Sequence, residues 1–270
     1  LYIIYKKRVW NSKWILSDKM PTRYIGNGYW EIVSRQMSIV TRSEQQRFKD
    51  AKIAIVGCGG IGGSTIEMLA RMGVGKLTII DQDYFDLSNL NRQVMSSIDC
   101  LRKDKSEVTK EKIRLINPYV EVDAKNAKVD ENNVAELIGD VDIIIDALDN
   151  LVTRIIVSRY AKEKNIPFIH GAINGTKGQI TVFTPDTDKD YEELFGMPSK
   201  GRELTEKVKK EVQNLTYGVP PVIGPVPNII GNLEAFEAFK YITGIGKVIK
   251  APKILTYDLL DLNSITEIEL

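Results

Sequence analysis

The sequence predicts an α/β domain: a Rossmann-like, mostly parallel sheet covered by helices, with antiparallel strands at the C-terminal end. Three observations carry this reading. Short apolar runs of strand length at 52–56, 76–81 and 141–146 alternate with stretches of helical character, the pattern of a parallel sheet covered on both faces. A Gly-rich turn, Gly57-Cys58-Gly59-Gly60-Ile61-Gly62, stands directly between the first run and an apolar helix. The final segments 253–260 and 265–270 read as closing, antiparallel strands.

The elements follow in order. Residues 1–28 are an N-terminal extension; Lys6, Lys7 and Arg8 break its apolar run, which makes it a poor signal peptide, and Met20 offers an alternative start. The main domain is expected over 29–270. Thr41 or Ser43 caps a short helix that ends near Asp50, ahead of strand 52–56. Helix 61–72 stops at Gly73-Val74-Gly75 and is followed by strand 76–81. Asp104 or Ser106 opens a helix that finishes before Asn117-Pro118. A strand at 120–127, a helix at 131–138, strand 141–146, helix 150–164 and strands 166–170 and 179–183 come next. A charged insertion or crossover segment occupies 185–217, with an amphipathic helix at 203–214. The prolines at 220, 221, 225 and 227 exclude helix from 218–227, so the next helix is expected at 228–241.

Composition sets bounds on function. At 270 residues the chain suits one large domain with an insertion. Lys plus Arg is 37 against Asp plus Glu 36, so no global field recruits nucleic acid or membrane. Two cysteines, Cys58 and Cys100, cannot build a disulfide framework or a four-thiolate zinc site, and cytoplasmic residence is the expectation. No apolar run approaches the roughly 18 residues of a membrane span.

The segment 52–93 is where chemistry concentrates. Gly57 permits a tight turn, Gly59 lets backbone approach a phosphate, and Gly62 lets helix pack on strand, with the helix N-terminus facing the anion. Asp81 ends the second strand at the spacing of a carboxylate that holds a ribose hydroxyl. Asn89 and Arg92 follow at once, which places them beside the phosphates. A dinucleotide dehydrogenase has little use for an arginine there, because backbone N–H groups already hold its pyrophosphate. Nucleotidyl transfer does need one, since attack at phosphorus develops charge that fixed cations stabilise. His170, the only histidine, reads as a satisfied, partly buried side chain, and Cys58 as packing; reactivity is not expected of Cys100.

At these residues the chain resembles the ubiquitin-activating-enzyme-like adenylyltransferases of sulfur-carrier proteins, the ThiF/MoeB/HesA group. The resemblance runs from about Tyr29 to Tyr257. It also rests on Ser34-Arg35-Gln36, Ile116-Asn117-Pro118, Asp146 to Asn150 with Arg154, Gly178 to Phe183, and Gly231 to Ala235 with Lys240. It implies an ATP-dependent enzyme that converts a protein's C-terminal carboxylate into an acyl-adenylate. Gly57, Gly59, Gly60, Gly62, Asp81, Asn89, Arg92 and Lys105 would bind the nucleotide. Asp149 would hold Mg2+; its other reading is a helix N-cap. Lys105 would contact phosphate, with Arg102 or Lys103 as alternatives. Arg35 would reach a partner's γ-phosphate in a homodimer, so Arg35, Arg92, Lys105 and Asp149 are the implied catalytic set. The implied partner is a small β-grasp carrier ending in Gly-Gly.

Two departures from the group's pattern matter. Relatives commonly carry two Cys-x-x-Cys pairs for zinc; here the first region reads Tyr191 to Phe195 and the C-terminus has no thiol, so no zinc is expected. The crossover-loop cysteine of thioester-forming members is also missing from Leu215 to Gly218. Two alternatives therefore stay open: an enzyme resembling the tRNA cyclic threonylcarbamoyladenosine dehydratases, which would bring a nucleic-acid partner, or a non-catalytic subunit of the same fold.

Overall fold

The computed structural model describes residues 28–270 except 217 and 219. The expected extension 1–28 therefore lies, apart from Gly28, outside the described residues. Helix α1 (Gly28–Ile32) and a 3-10 turn (Ser34–Gln36) lead to α2 (Arg42–Asp50). Thr41 opens α2 with a reciprocal cap: its Oγ1 accepts from Glu44 N–H and its own N–H donates to the Glu44 carboxylate. Then come β1 (Lys52–Val56), α3 (Gly60–Met72), β2 (Lys76–Ile80), α4 (Lys105–Ile116), β3 (Glu121–Lys125), α5 (Val134–Ile138) and β4 (Ile143–Asp146). The chain continues through α6 (Leu151–Lys164), β5 (Phe168–Asn174), β6 (Lys177–Phe183), α7 (Tyr191–Leu194), α8 (Glu206–Gln213), α9 (Pro225–Thr243), β7 (Lys253–Asp258) and β8 (Asp261–Glu269).

The eight strands of the described residues form one sheet in the order β3-β2-β1-β4-β5-β6-β7-β8. The pairs from β3 to β5 are parallel, and those from β5 to β8 antiparallel, which is the predicted fold class. Strand side chains alternate between two apolar layers. Ile53, Ile55, Ile143 and Ile145 join one core cluster with α3 and α9 residues; Ala54, Val56 and Ile144 join another with α6 residues. A central strand covered on both faces must be apolar at every position, and Ile143, Ile144 and Ile145 of β4 are each fully buried.

Three expectations need correction. Helix α9 begins at Pro225, not at 228, because Pro225 and Pro227 occupy its first turn, where a missing N–H costs no intrahelical bond. The helix expected at 131–138 starts only at Val134, since Asp130 and Asn133 side chains hold residues 130–133 in a turn. The strand expected at 166–170 runs over Phe168–Asn174 and the one expected at 179–183 begins at Lys177, so the pair extends toward its turn as a longer hairpin.

Candidate active site

A cleft of about 700 Å³ opens at the carboxyl ends of the parallel strands, within the range of small-molecule sites. It lies where the strand order reverses, between β1 and β4, the place at which doubly wound sheets bind ligands. Its floor is the Gly-rich turn. Gly57 adopts φ +105°, and a Cβ there would meet the Ala147 carbonyl oxygen at 2.5 Å. At Gly62 a Cβ would stand 1.9 Å from the Gly57 carbonyl oxygen, so turn and helix close only without one. A Cβ on Gly59 would face the cleft; among the described residues beyond its chain neighbours, Gln93 Nε2 at 3.7 Å is its one contact within 4 Å. The N-cap of α3 is Gly59, and among the described residues no side chain caps it. The N–H groups of its first turn are therefore left for a ligand, and the helix dipole favours an anion there.

Asp81, at the end of β2, lines the cleft. Its carboxylate accepts from the Cys58 N–H at 2.7 Å and the Asp83 N–H at 2.8 Å. Burial pushes its pKa above the ordinary value, against the opposing pull of Lys105 and of the Cys58 hydrogen bond. Each oxygen retains a lone pair with which to accept from a ribose hydroxyl. Arg92 also lines the cleft, and its Nη1 donates to Ser88 O at 2.8 Å and Asn91 Oδ1 at 2.9 Å. Both partners are neutral, so the guanidinium charge is not cancelled. Lys105, the first residue of α4, is buried, reaches Asp83 Oδ2 at 3.0 Å and lines the cleft. Arg102 and Lys103 are not among the lining residues, so of these three cations the cleft wall holds Lys105.

Asp149 is exposed to the cleft just past β4. The N-cap of α6 is Asn150, whose Oδ1 accepts from Thr153 N–H at 2.8 Å, so capping does not occupy Asp149. Among the described residues, no three His, Cys, Asp or Glu side chains are grouped to hold a metal. A single carboxylate beside phosphate oxygens is nevertheless the donor set that Mg2+ ordinarily takes, since it keeps several waters.

Other expected residues lie elsewhere. Asn89 is buried, accepts from Asp86 N–H at 2.9 Å and is absent from the cleft wall; it shapes the turn that presents Arg92. Arg35 is exposed on its 3-10 turn and is likewise not a lining residue. His170 is buried against Asp146, with Nδ1 and Oδ2 2.7 Å apart, as expected of a satisfied histidine. Cys58 and Cys100 are both buried, and burial pushes the Cys58 thiol well up.

The structure adds residues that the sequence did not single out. Gln93 lines the cleft with its buried Oε1 unpaired among the described residues, an orphan atom suited to a ligand donor. Its position in the motif beside Arg92 was the available signal. Lys128, exposed after β3, enters the wall with no sequence signal at all. The wall also includes Asn174 at the hairpin tip, Leu215 and Thr216 of the crossover segment, and Gly218, Pro220 and Val222 just after it. Gly175 N–H donates to Pro221 O and Asn91 Nδ2 to Val222 O, fixing the chain just after that segment.

Residues 33–270 match the model of the ThiF family. A SAMP-activating enzyme E1 from Haloferax volcanii is 33% identical over 218 residues, 81% of this chain and 76% of the relative. A molybdopterin-synthase adenylyltransferase from Haemophilus influenzae is 36% identical over 231 residues, 84% of this chain and 88% of the relative. Among solved structures, PaaA superposes with a TM-score of 0.75 at 25% identity, covering 96% of this chain and 89% of PaaA. Escherichia coli MccB with ATP gives 0.71 at 24%, covering 84% and 66%, a likeness of fold.

Proposed function

The chain belongs to the ThiF family, and from that premise we propose that it is an ATP-dependent adenylyltransferase acting on the C-terminal carboxylate of a small ubiquitin-like sulfur-carrier protein. The observation that carries the reading is convergence: the uncapped N-terminus of α3, Arg92, Lys105, Asp81 and Asp149 all line one nucleotide-sized cleft. A dinucleotide oxidoreductase leaves Arg92 and Asp149 without work. The relatives' names support a protein acceptor over a tRNA.

In the reaction an acceptor carboxylate oxygen forms a bond to the α-phosphorus of ATP while the bond from that phosphorus to the bridging oxygen of pyrophosphate breaks. Pyrophosphate leaves with the electron pair, and the acceptor carries AMP as a mixed anhydride. No protein nucleophile is required, so catalysis rests on positioning and charge. The α3 N–H groups hold phosphate oxygens, Asp81 holds the ribose, and Arg92 and Lys105 neutralise charge that grows on the phosphoryl and leaving oxygens. Asp149 would hold Mg2+, which supplies further neutralisation when bound. Leu215, Thr216 and Gly218 bring no thiol to the cleft wall, so the adenylate is the product released. Because Arg35 stands outside its own cleft, it serves a nucleotide only in a second copy, which favours a homodimer. A carrier ending in Gly-Gly and a cytoplasmic setting complete the proposal; no helix among the described residues is long and apolar enough to cross a membrane.

The test is carrier-dependent exchange of labelled pyrophosphate into ATP. Wild type should exchange only with the carrier present, and Arg92→Ala and Asp149→Ala should each lose at least about 100-fold with an unchanged circular dichroism spectrum. Near-normal exchange in either variant would contradict the assigned roles.

A further inference from the structure

Asp146 ends β4 with its side chain wholly buried, and three groups converge on it. Arg154 Nε donates to Oδ2 at 2.6 Å, His170 Nδ1 lies 2.7 Å from the same oxygen, and the Leu148 N–H donates to Oδ1 at 3.0 Å. Arg154 Nη2 then turns to the Leu148 carbonyl. Both polar groups of Leu148 are thus held by one buried ion pair, and the second belongs to the peptide bond that leads into Asp149. On the other side Asn150 is fixed as the α6 cap. Asp149 is an exposed carboxylate carried on a backbone pinned before and after it.

His170 is the remaining member of the arrangement. Asp146 and His170 are register partners on neighbouring parallel strands. The imidazole packs edge-on against Tyr191 and Phe195, with ring centres 5.0 and 5.2 Å away. These two aromatics occupy the stretch where the resemblance leads one to look for a zinc-binding Cys pair. A neutral imidazole that donates to Asp146 leaves the carboxylate ionised for Arg154, and the aromatic pair keeps water from both.

We propose that His170, Asp146 and Arg154 form a positioning relay, closed by Tyr191 and Phe195, that sets the Leu148–Asp149 peptide and so the direction in which Asp149 meets a nucleotide-bound Mg2+. This deepens the adenylyltransferase reading and rests on it. Outer partners of metal-holding groups commonly govern affinity by about 10–100-fold, although neither His170 nor Asp146 touches the nucleotide.

The experiment is equilibrium binding of ATP to the full chain with and without Mg2+, alongside thermal unfolding. Wild type should bind more tightly with Mg2+, and Asp149→Asn should lose that gain. His170→Leu should lose about tenfold of the gain with metal-free ATP affinity unchanged, and His170→Asn, whose amide still donates to Asp146, should restore most of it. In an Asp149→Asn background His170→Leu should have no further effect on the Mg2+ gain. Should His170→Leu fail to fold, His170→Phe, which keeps a ring between Tyr191 and Phe195 and loses only the nitrogen that meets Asp146, should reduce the gain in the same direction. A lowered melting temperature with a wild-type Mg2+ gain would overturn the relay and leave the proposed function standing. Absence of any Mg2+ gain in wild type would instead overturn the role of Asp149 and the relay with it.

Discussion

A Cβ placed on Gly62 falls 1.9 Å from a backbone oxygen and 3.0 Å from the Ala147 Cβ, and neither neighbour is the far end of a flexible chain. Gly62→Ala must therefore push α3 away from the turn that begins at Gly57. The expected cost is about 1–3 kcal/mol, typical of overpacking, measurable as a fall in the denaturation midpoint, together with weaker ATP binding. Gly59→Ala faces open cleft instead and should spare stability while weakening ATP binding; equal stability losses in the two variants would contradict this geometry. Such glycines are legible in a sequence because few other residues can fill their places. Asn89 was legible as important, and in the structure its Oδ1 braces the turn before Arg92 by accepting from the Asp86 N–H; an Asn beside a phosphate and an Asn bracing a turn look alike until the chain path is known. Arg154 was quoted as part of a motif, yet its work with Asp146 and Leu148 depends on contacts that residue spacing does not disclose.

Helices were legible where their ends carry chemistry of their own. Thr41 or Ser43 announces α2, and the structure selects Thr41, which Glu44 caps reciprocally, with Thr41 N–H to Glu44 Oε2 at 2.6 Å. The helix matters to the core because Phe48 is fully buried against Phe239 of α9, ring centres 4.7 Å apart. Thr41→Ala should cost about 1 kcal/mol in urea unfolding, whereas Thr41→Ser should be nearly neutral; an undiminished midpoint in the alanine variant would show that the cap contributes nothing. Elements that depend on tertiary neighbours were less legible. The prolines of α9 read as breakers since a sequence does not reveal which residue is first in a helix. The strands expected at 166–170 and 179–183 stop short of Gly171 and Gly178, but a Cβ at either would stand within 3 Å of Ile230, whose side chain fills the space the glycines leave. These glycines belong to the packing of α9 on the sheet, and they do not end the strands.

At the scale of the whole molecule, the β-α-β alternation fixed the parallel half and the location of the cleft, while buried charge had to come from the structure. Two such charges oppose each other in how stability depends on pH. Burial lowers the pKa of His170 below 6.5, only partly offset by its hydrogen bond to Asp146. Below about pH 6.5 the unfolded chain binds a proton that the native state refuses, so this group makes stability rise with pH up to that point. Glu234 of α9 is fully buried, with Oε2 accepting from Thr65 Oγ1 at 2.8 Å and Oε1 without a geometric hydrogen-bond partner among the described residues. Burial raises its pKa well above 4.5, against the Thr65 hydrogen bond. The native state then keeps a proton that the unfolded chain loses above about pH 4.5, so this group makes stability fall as pH rises. Between about pH 5 and 6.5 the two slopes, each at most about 1.4 kcal/mol per pH unit, act in opposite directions. The Asp146 carboxylate stays out of this window: burial would raise its pKa, but Arg154 and His170 hold it below 3.8, so its contribution is lost only in stronger acid. Melting temperatures at pH 5, 5.5, 6 and 6.5 should consequently be flattest for the wild type. Glu234→Gln should unmask the histidine, giving a midpoint that climbs with pH, and His170→Asn should unmask the glutamate, giving one that declines. Parallel profiles for all three proteins would mean that these two residues are not the groups coupling protons to folding.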